Sequence, residues 1–246
     1  MRINILTVNY KSKDFIENLL RKINEENIPH NLFVINNSEE SFKDIKEKYK
    51  NVYVIKNNLK ISNPCLSHVS GLNLGLSCLN FNNNYTLICD PDVSFSKGAL
   101  RSIITYMESD NLDVFGITKH SKKYPYIWFT IIKTKYLKDF YFLYLPIIDN
   151  ILIKAIRKLM RKLGVLPDIE DSGDSIYELI KNKKLKYVAL TPVSKDKLPN
   201  KYNFLKQINS TDYIWKGHVI SHFNCGSDVR YNRLHTERDK EIFFKL

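Results

Sequence analysis

Two aspartates one residue apart, Asp90 and Asp92, are the residues of this sequence best suited to chemistry. They follow the apolar, strand-like run 85–89, so both carboxylates are expected at the exposed end of a buried strand. Carboxylate oxygens in such a place suit a hard divalent cation, Mn²⁺ or Mg²⁺, whose remaining positions phosphate and water can fill. Pro91 restricts its own φ angle and favours an extended Asp90, which stiffens the pair. Asp-Pro-Asp is also ordinary turn chemistry, so the tripeptide alone leaves a purely structural turn open.

The elements that must position this pair alternate between strands and helices along the first half of the chain. Apolar runs predict strands at 3–8, 31–35, 52–55, 85–89 and 114–117. Helical spacing and start signals predict helices at 12–23, 40–49 and 65–79, and another that begins near residue 97. This alternation predicts an α/β fold with a mostly parallel central sheet and helices on both faces. Ligands of such sheets bind at the carboxyl ends of the strands.

Short polar side chains follow four of these predicted strands. They are Asn9 and Tyr10, then Asn36 to Ser38, then Asn57 and Asn58, and finally Asp90 and Asp92. Loop chemistry alone would place some asparagine and serine at strand ends. The pattern therefore supports a binding rim at this edge of the sheet without identifying its ligand.

The composition limits the partners and the compartment. A net charge of +12 favours an anionic partner, for which the candidate classes are a nucleoside diphosphate, an acidic lipid surface or nucleic acid, although an excess of lysine can equally serve solubility alone. Basic residues interleaved with aromatic stacking platforms are absent, which argues against nucleic acid. The four cysteines lack any CxxC pairing, which argues against a disulfide framework or a zinc site and favours a reducing compartment. Without a signal peptide or a long apolar run, we expect a cytoplasmic protein.

The second half of the chain is less regular. The segment 124–133 reads as an aromatic strand or hairpin in which Trp128 either stacks on a sugar or acceptor or fills the core. A basic amphipathic helix is predicted at about 147–163, with an apolar stripe opposite its lysines and arginines. Such a helix either packs on the core or lies on an anionic membrane surface, which would place the protein at the inner face of the membrane.

Four segments, taken in order, resemble the landmarks of family 2 glycosyltransferases, which have the GT-A fold. The segments read ILTVNY at 5–10, VINNS at 34–38, GLNLG at 71–75 and LICDPDV at 87–93. The last is similar to the family's metal signature, the DXD motif, and the set covers about the first 95 residues. The resemblance implies a Rossmann-like GT-A sheet with a donor-binding half at 1–120 and a mixed acceptor-binding half at 121–246, within one continuous domain.

The resemblance also implies roles for particular residues. The implied donor-binding residues are Thr7, Asn9, Tyr10, Asn36, Asn58 and Asp90. Asp92 would hold the metal together with His222, for which His218 is the alternative. The implied catalytic base is Asp171, with Glu170 and Asp174 as alternatives, although an aspartate there can equally cap the following helix. Asn36 stands where the family usually carries an aspartate, which leaves the donor nucleotide open.

The implied activity is metal-assisted transfer of a sugar from a nucleotide-diphosphate donor, expected to be a UDP-sugar. The acceptor would be a hydroxyl on a glycan or a lipid-linked glycan, the anomeric carbon would be inverted, and the setting would be surface-polysaccharide assembly. A nucleotidyltransferase would need an early glycine-rich phosphate loop, which 7–10 lacks. A dinucleotide-dependent oxidoreductase would need GxGxxG after the first strand, which is also absent. A non-catalytic carbohydrate- or surface-binding protein on the same scaffold stays open.

Overall fold

The computed structural model describes residues 2–119, 123–143, 160, 173–223 and 237–246. The strands are β1 (Ile3–Asn9), β2 (His30–Asn36), β3 (Val52–Lys56), β4 (Tyr85–Cys89), β5 (Val93–Phe95), β6 (Val114–Ile117), β7 (Phe129–Lys133), β8 (Tyr187–Leu190), β9 (Thr211–Trp215) and β10 (His218–His222). The α-helices are α1 (Lys13–Glu25), α2 (Lys43–Lys48), α3 (Pro64–Ser77), α4 (Ala99–Ser109), α5 (Asp174–Lys183) and α6 (Glu237–Phe244). Short 3-10 helices cover Thr134–Leu137, Lys195–Lys197 and Asn200–Gln207.

The strands form two sheets that meet at the acidic pair. Seven strands make a large sheet in the order β3-β2-β1-β4-β7-β6-β8, which is parallel except for β7, antiparallel to both its neighbours. A small antiparallel sheet has the order β5-β10-β9. A tight turn, in which the Val93 N–H donates to the Asp90 carbonyl at 3.3 Å, leads from β4 into β5. The acidic pair therefore lies where the chain leaves the large sheet for the small one.

Helix α3 packs closely on β1 because two glycines face the strand. A Cβ at Gly75 would lie 2.1 Å from Cδ1 of Leu6, and one at Gly71 would lie 2.9 Å from Cγ1 of Val8. Leu6 and Val8 are both buried in the core cluster that this helix helps to form. Since Val8 is the nearer of the two to the carboxyl end of β1, the amino-terminal turns of α3 are fixed over that end of the sheet.

The predicted α/β class, with a mostly parallel central sheet and helices on both faces, is confirmed. In the aromatic segment only Phe129–Lys133 is a strand, and it inserts between β4 and β6 rather than forming a local hairpin. Both sheets combine strands from before and after residue 120, so the two predicted halves are interleaved in the fold. The predicted basic helix at 147–163 lies outside the described residues, save for residue 160. None of the described helices is long and apolar enough to span a membrane.

Candidate metal centre

Asp90, Asp92 and His222 converge at the carboxyl end of β4, each offering one ligand atom within 4.8 Å of the others. The His222 Nε2 atom lies 3.5 Å from Oδ1 of Asp92 and 4.0 Å from Oδ2 of Asp90. The cluster joins residues 130 positions apart because β10 pairs with β5, and the Phe223 N–H donates to the Asp92 carbonyl at 2.9 Å. Asp92 and His222 are buried, whereas Asp90 is partly exposed and opens the cluster to solvent.

The donor set of this cluster fits a divalent cation. Burial raises the pKa of the Cys89 thiol, and the negative charges of Asp90 and Asp92 raise it further. Two carboxylate oxygens and one imidazole nitrogen suit Mn²⁺, since carboxylates favour Mn²⁺ and Mg²⁺ while imidazole favours transition metals. The residues present therefore fit the cation that the acidic motif predicts.

Trp128 forms one wall of the cluster. Because β7 pairs with β4, the Trp128 carbonyl accepts the Asp90 N–H at 3.2 Å. Its ring stacks on His222 with a centroid distance of 4.3 Å and an interplanar angle of 9°, and Tyr126 packs edge-on against it at 5.4 Å. The stacked Trp128 ring restricts the plane of the His222 ring, and its Nε2 atom lies next to the two carboxylates.

The alternative metal ligand, His218, lies at the other end of β10. It stands four residues before His222, which is about 13 Å along a strand. Its imidazole instead packs beside Gly98, where a Cβ would come within 3.0 Å of its Cε1 atom. The structure therefore brings His222, not His218, to the two aspartates.

The amides expected to bind the donor are bonded to one another. Asn9 Nδ2 donates to Asn36 Oδ1 at 3.0 Å, to Ser38 Oγ at 3.1 Å and to the Glu40 carboxylate at 2.9 Å. Asn36 Oδ1 also accepts from the backbone and hydroxyl of Ser38, and Asn36 Nδ2 donates to the Glu40 carbonyl at 2.9 Å. Asn9 and Asn36 thus shape the rim through this network, and Glu40 supplies the carboxylate nearest to them.

The other expected donor-binding residues differ in their access to a ligand. Thr7 is completely buried within β1, so its hydroxyl does not reach the rim. Tyr10 is 51% exposed beside the end of β1, and Asn58 is exposed after β3. Its neighbour Asn57 is the buried amide, and it donates to Asn37 Oδ1 at 3.0 Å and to Ser70 Oγ at 2.8 Å.

Asp174 is the one residue among the three catalytic-base candidates that the structure describes; Asp171 and Glu170 lie outside the described residues. Asp174 is buried at the start of α5, and its Oδ1 accepts the hydroxyl hydrogen of Tyr124 at 2.5 Å. The residue at the N-cap position is Gly173, without a side-chain cap. The Asp174 carboxylate is therefore engaged with Tyr124, which ties the start of α5 to the segment before β7.

His68 is a residue at this site that the sequence analysis missed. It lies on α3 with its Nε2 atom 3.6 Å from Oδ1 of Asp90. A signal was present, because His68 precedes Gly71 by three positions and Gly75 by seven. This spacing places all three on the helix face that packs against the sheet.

Comparisons with known proteins support the fold. No protein-family model matches the sequence, and no curated protein matches it. The structure is similar to that of the mannosyltransferase PcManGT from Pyrobaculum calidifontis, which was solved in complex with GDP-Man and Mn²⁺. The sequence identity is 11% and the TM-score is 0.51, and the match covers 84% of this chain and 60% of that chain. At this identity the similarity establishes a shared fold of the GT-A type and nothing about the substrate.

Two further solved structures are similar to this one with lower TM-scores. S. aureus TarS 1-349 in complex with UDP-GlcNAc has 19% identity and a TM-score of 0.46 over 58% of this chain and 49% of that chain. The 4-diphosphocytidyl-2C-methyl-D-erythritol synthase from Anaerococcus prevotii has 13% identity and a TM-score of 0.45 over 76% and 86% of the two chains. This chain spans about half the length of the TarS structure.

Proposed function

We propose that this protein is a glycosyltransferase of the family 2 type. It transfers a sugar from a nucleotide-diphosphate donor, a UDP-sugar, to a hydroxyl on a glycan or a lipid-linked glycan. The observation that carries the proposal is the convergence of Asp90, Asp92 and His222 at the carboxyl end of a central strand. The fold shared with a mannosyltransferase supports the same reading.

The cluster is suited to bind the diphosphate end of the donor. Asp92 and His222 would hold the cation, Mn²⁺ or Mg²⁺, and the partly exposed Asp90 would contact the donor ribose or the cation through water. When bound, the cation offsets the negative charge that gathers on the departing diphosphate. Burial keeps Asp92 and His222 in a fixed orientation, so little reorganisation is needed as that charge develops.

The acceptor side of the mechanism rests on Asp171. In this proposal the Asp171 carboxylate accepts the proton of the attacking hydroxyl, on the face of the sugar opposite the diphosphate. Attack from that face inverts the anomeric carbon. Glu170 and Asp174 are the alternative bases, and the carboxylate of Asp174 also accepts the hydroxyl hydrogen of Tyr124. Trp128 would pack on the sugar or acceptor through ring surface that His222 does not cover.

Binding and turnover measured together test this proposal. Calorimetry should show that UDP or GDP binds in the presence of Mn²⁺ and much more weakly without it. Nucleotide release from UDP- and GDP-sugars should require the cation and should be lost in Asp92→Asn. Asp171→Asn should lower turnover at least a hundredfold while nucleotide affinity stays within about threefold, in line with the usual contribution of a general base. Equal losses of both would instead indicate a helix cap.

Other outcomes would assign the scaffold differently. Release of pyrophosphate from a nucleoside triphosphate would identify a nucleotidyltransferase. Glycan binding without any Mn²⁺-dependent nucleotide binding would identify a non-catalytic carbohydrate-binding protein.

The location is part of the proposal, supported by the charge of the chain and by the pattern at 147–163. We place the protein in the cytoplasm, with this basic segment in contact with the anionic inner face of the membrane. Co-sedimentation with anionic vesicles should fall when Arg157, Lys158 and Arg161 are replaced by glutamate. Unchanged co-sedimentation would remove the membrane contact and leave the enzymatic proposal intact.

A further inference from the structure

We infer that His68 is a positioning residue for Asp90, holding one carboxylate oxygen from the α3 side so that the other faces the cation. The inference rests on the cation site of the proposed function and extends it to a residue on a different element. His68 Nε2 lies 3.6 Å from Oδ1 of Asp90, whereas Oδ2 is the oxygen that faces His222, at 4.0 Å. The two oxygens of Asp90 therefore face two different imidazoles.

The position of His68 is set by its helix. Asn63 caps α3 by accepting the Leu66 N–H on its side chain at 3.0 Å, and Pro64 opens the first turn. Gly71 and Gly75 then hold the helix against β1 more closely than any side chain would permit. A rigid helix that approaches a strand this closely carries the His68 ring to the end of β4, where Asp90 lies.

The contact is an ion-pair separation, longer than a hydrogen bond, between two partly buried side chains. The exposed fractions are 26% for the His68 side chain and 19% for that of Asp90. Asp90 follows the last residue of β4 and is the most exposed member of the cluster, so burial restricts its carboxylate less than that of Asp92. Asp92 and His222 are held by burial, and the His68 contact restricts the carboxylate of the less buried Asp90 from the α3 side. Outer-sphere partners of metal ligands typically contribute ten- to a hundredfold to metal affinity.

Mn²⁺ titration of the full chain by calorimetry, without nucleotide, tests the inference. His68→Ala should weaken Mn²⁺ binding about ten- to a hundredfold. His68→Gln, whose amide nitrogen can occupy the place of Nε2, should recover most of that loss. Cys65→Ser, an exposed change on the same helix, should leave the affinity unchanged. If the alanine variant does not fold, His68→Leu keeps the volume and removes the donor.

A double-mutant cycle separates positioning from a general effect on the fold. In an Asp90→Asn background, His68→Ala should change Mn²⁺ affinity by less than twofold, because the charge it orients is gone. The inference would be overturned if His68→Ala lowered Mn²⁺ affinity equally in both backgrounds. It would also be overturned if His68→Ala alone left Mn²⁺ affinity within twofold of that of the unaltered chain. Since no nucleotide is present, His68-dependent Mn²⁺ binding without turnover of any nucleotide sugar would refute the proposed function alone.

Discussion

Replacing Asp92 by asparagine should remove most of the stabilisation that Mn²⁺ gives to the fold. The change keeps the size of a buried side chain and replaces one carboxylate of the proposed cation site. At a Mn²⁺ concentration one hundred times the Kd, a single site stabilises the unaltered protein by about 2.7 kcal/mol. For a chain of this size that corresponds to a rise in Tm of about 5–11 °C, at about 2–4 °C per kcal/mol.

The same Mn²⁺ concentration should stabilise the Asp92→Asn variant only slightly. If Asp92→Asn raises the Kd a hundredfold, the stabilisation falls to about 0.4 kcal/mol, or about 1 °C in Tm. Without Mn²⁺ the variant should melt within a few degrees of the unaltered protein, because the repulsion between two neighbouring carboxylates is relieved. Differential scanning fluorimetry with and without Mn²⁺ measures both quantities. The exposed substitution Asp110→Asn is the matched control and should keep the full shift. A full shift in Asp92→Asn would refute the assignment of Asp92 as a ligand.

Three further predictions concern the site and the fold. Mn²⁺ should quench the fluorescence of Trp128, measured in Trp215→Phe, because the Trp128 ring stacks on His222, the imidazole proposed to bind the cation. It should not quench Trp215, measured in Trp128→Phe. Equal quenching of the two would contradict this geometry. Burial lowers the pKa of His30 below its ordinary 6.5. Unfolded His30 therefore takes up a proton first as the pH falls, and stability is lost below about pH 6.5 by up to about 1.4 kcal/mol per pH unit. In urea unfolding, His30→Gln should reduce this dependence of stability on pH. An unchanged pH dependence would argue against the role of His30. In the same assay Gly75→Ala should lower the free energy of unfolding by about 1–2 kcal/mol, because the clash with Leu6 outweighs the gain in helix propensity. A variant more stable than the unaltered protein would show that α3 can move.

The sequence predicted the large sheet well because its signals are local. The five strands predicted in the first half are apolar runs followed by polar residues, and the structure has all five, with ends shifted by no more than one residue. The small sheet was not predicted, because β5 has three residues and pairs with a strand more than 120 residues later. The position of His222 depends on that pairing. Only the family resemblance pointed to this histidine, and the structure places it at the end of a strand.

The sequence predicted where the polar rim of the sheet lies but not how its side chains are arranged. Thr7 and Asn9 share a face of β1, because side chains alternate between faces, but Thr7 lies two residues before the carboxyl end and is completely buried. The partners of Asn9 and Asn36 come from a loop whose course no periodicity predicts, and Glu40 joins them from that loop. His68 could have been found from its spacing to Gly71 and Gly75.

Pulsed electron paramagnetic resonance of the Mn²⁺-loaded protein tests the central claim most directly. If Asp92 and His222 bind the cation beside Asp90, the spectrum should show a coupling to an imidazole nitrogen that is absent in His222→Ala. Adding UDP should introduce a phosphorus coupling on the same ion. Bound Mn²⁺ without either coupling would contradict the proposal that this cluster holds a cation for a diphosphate leaving group.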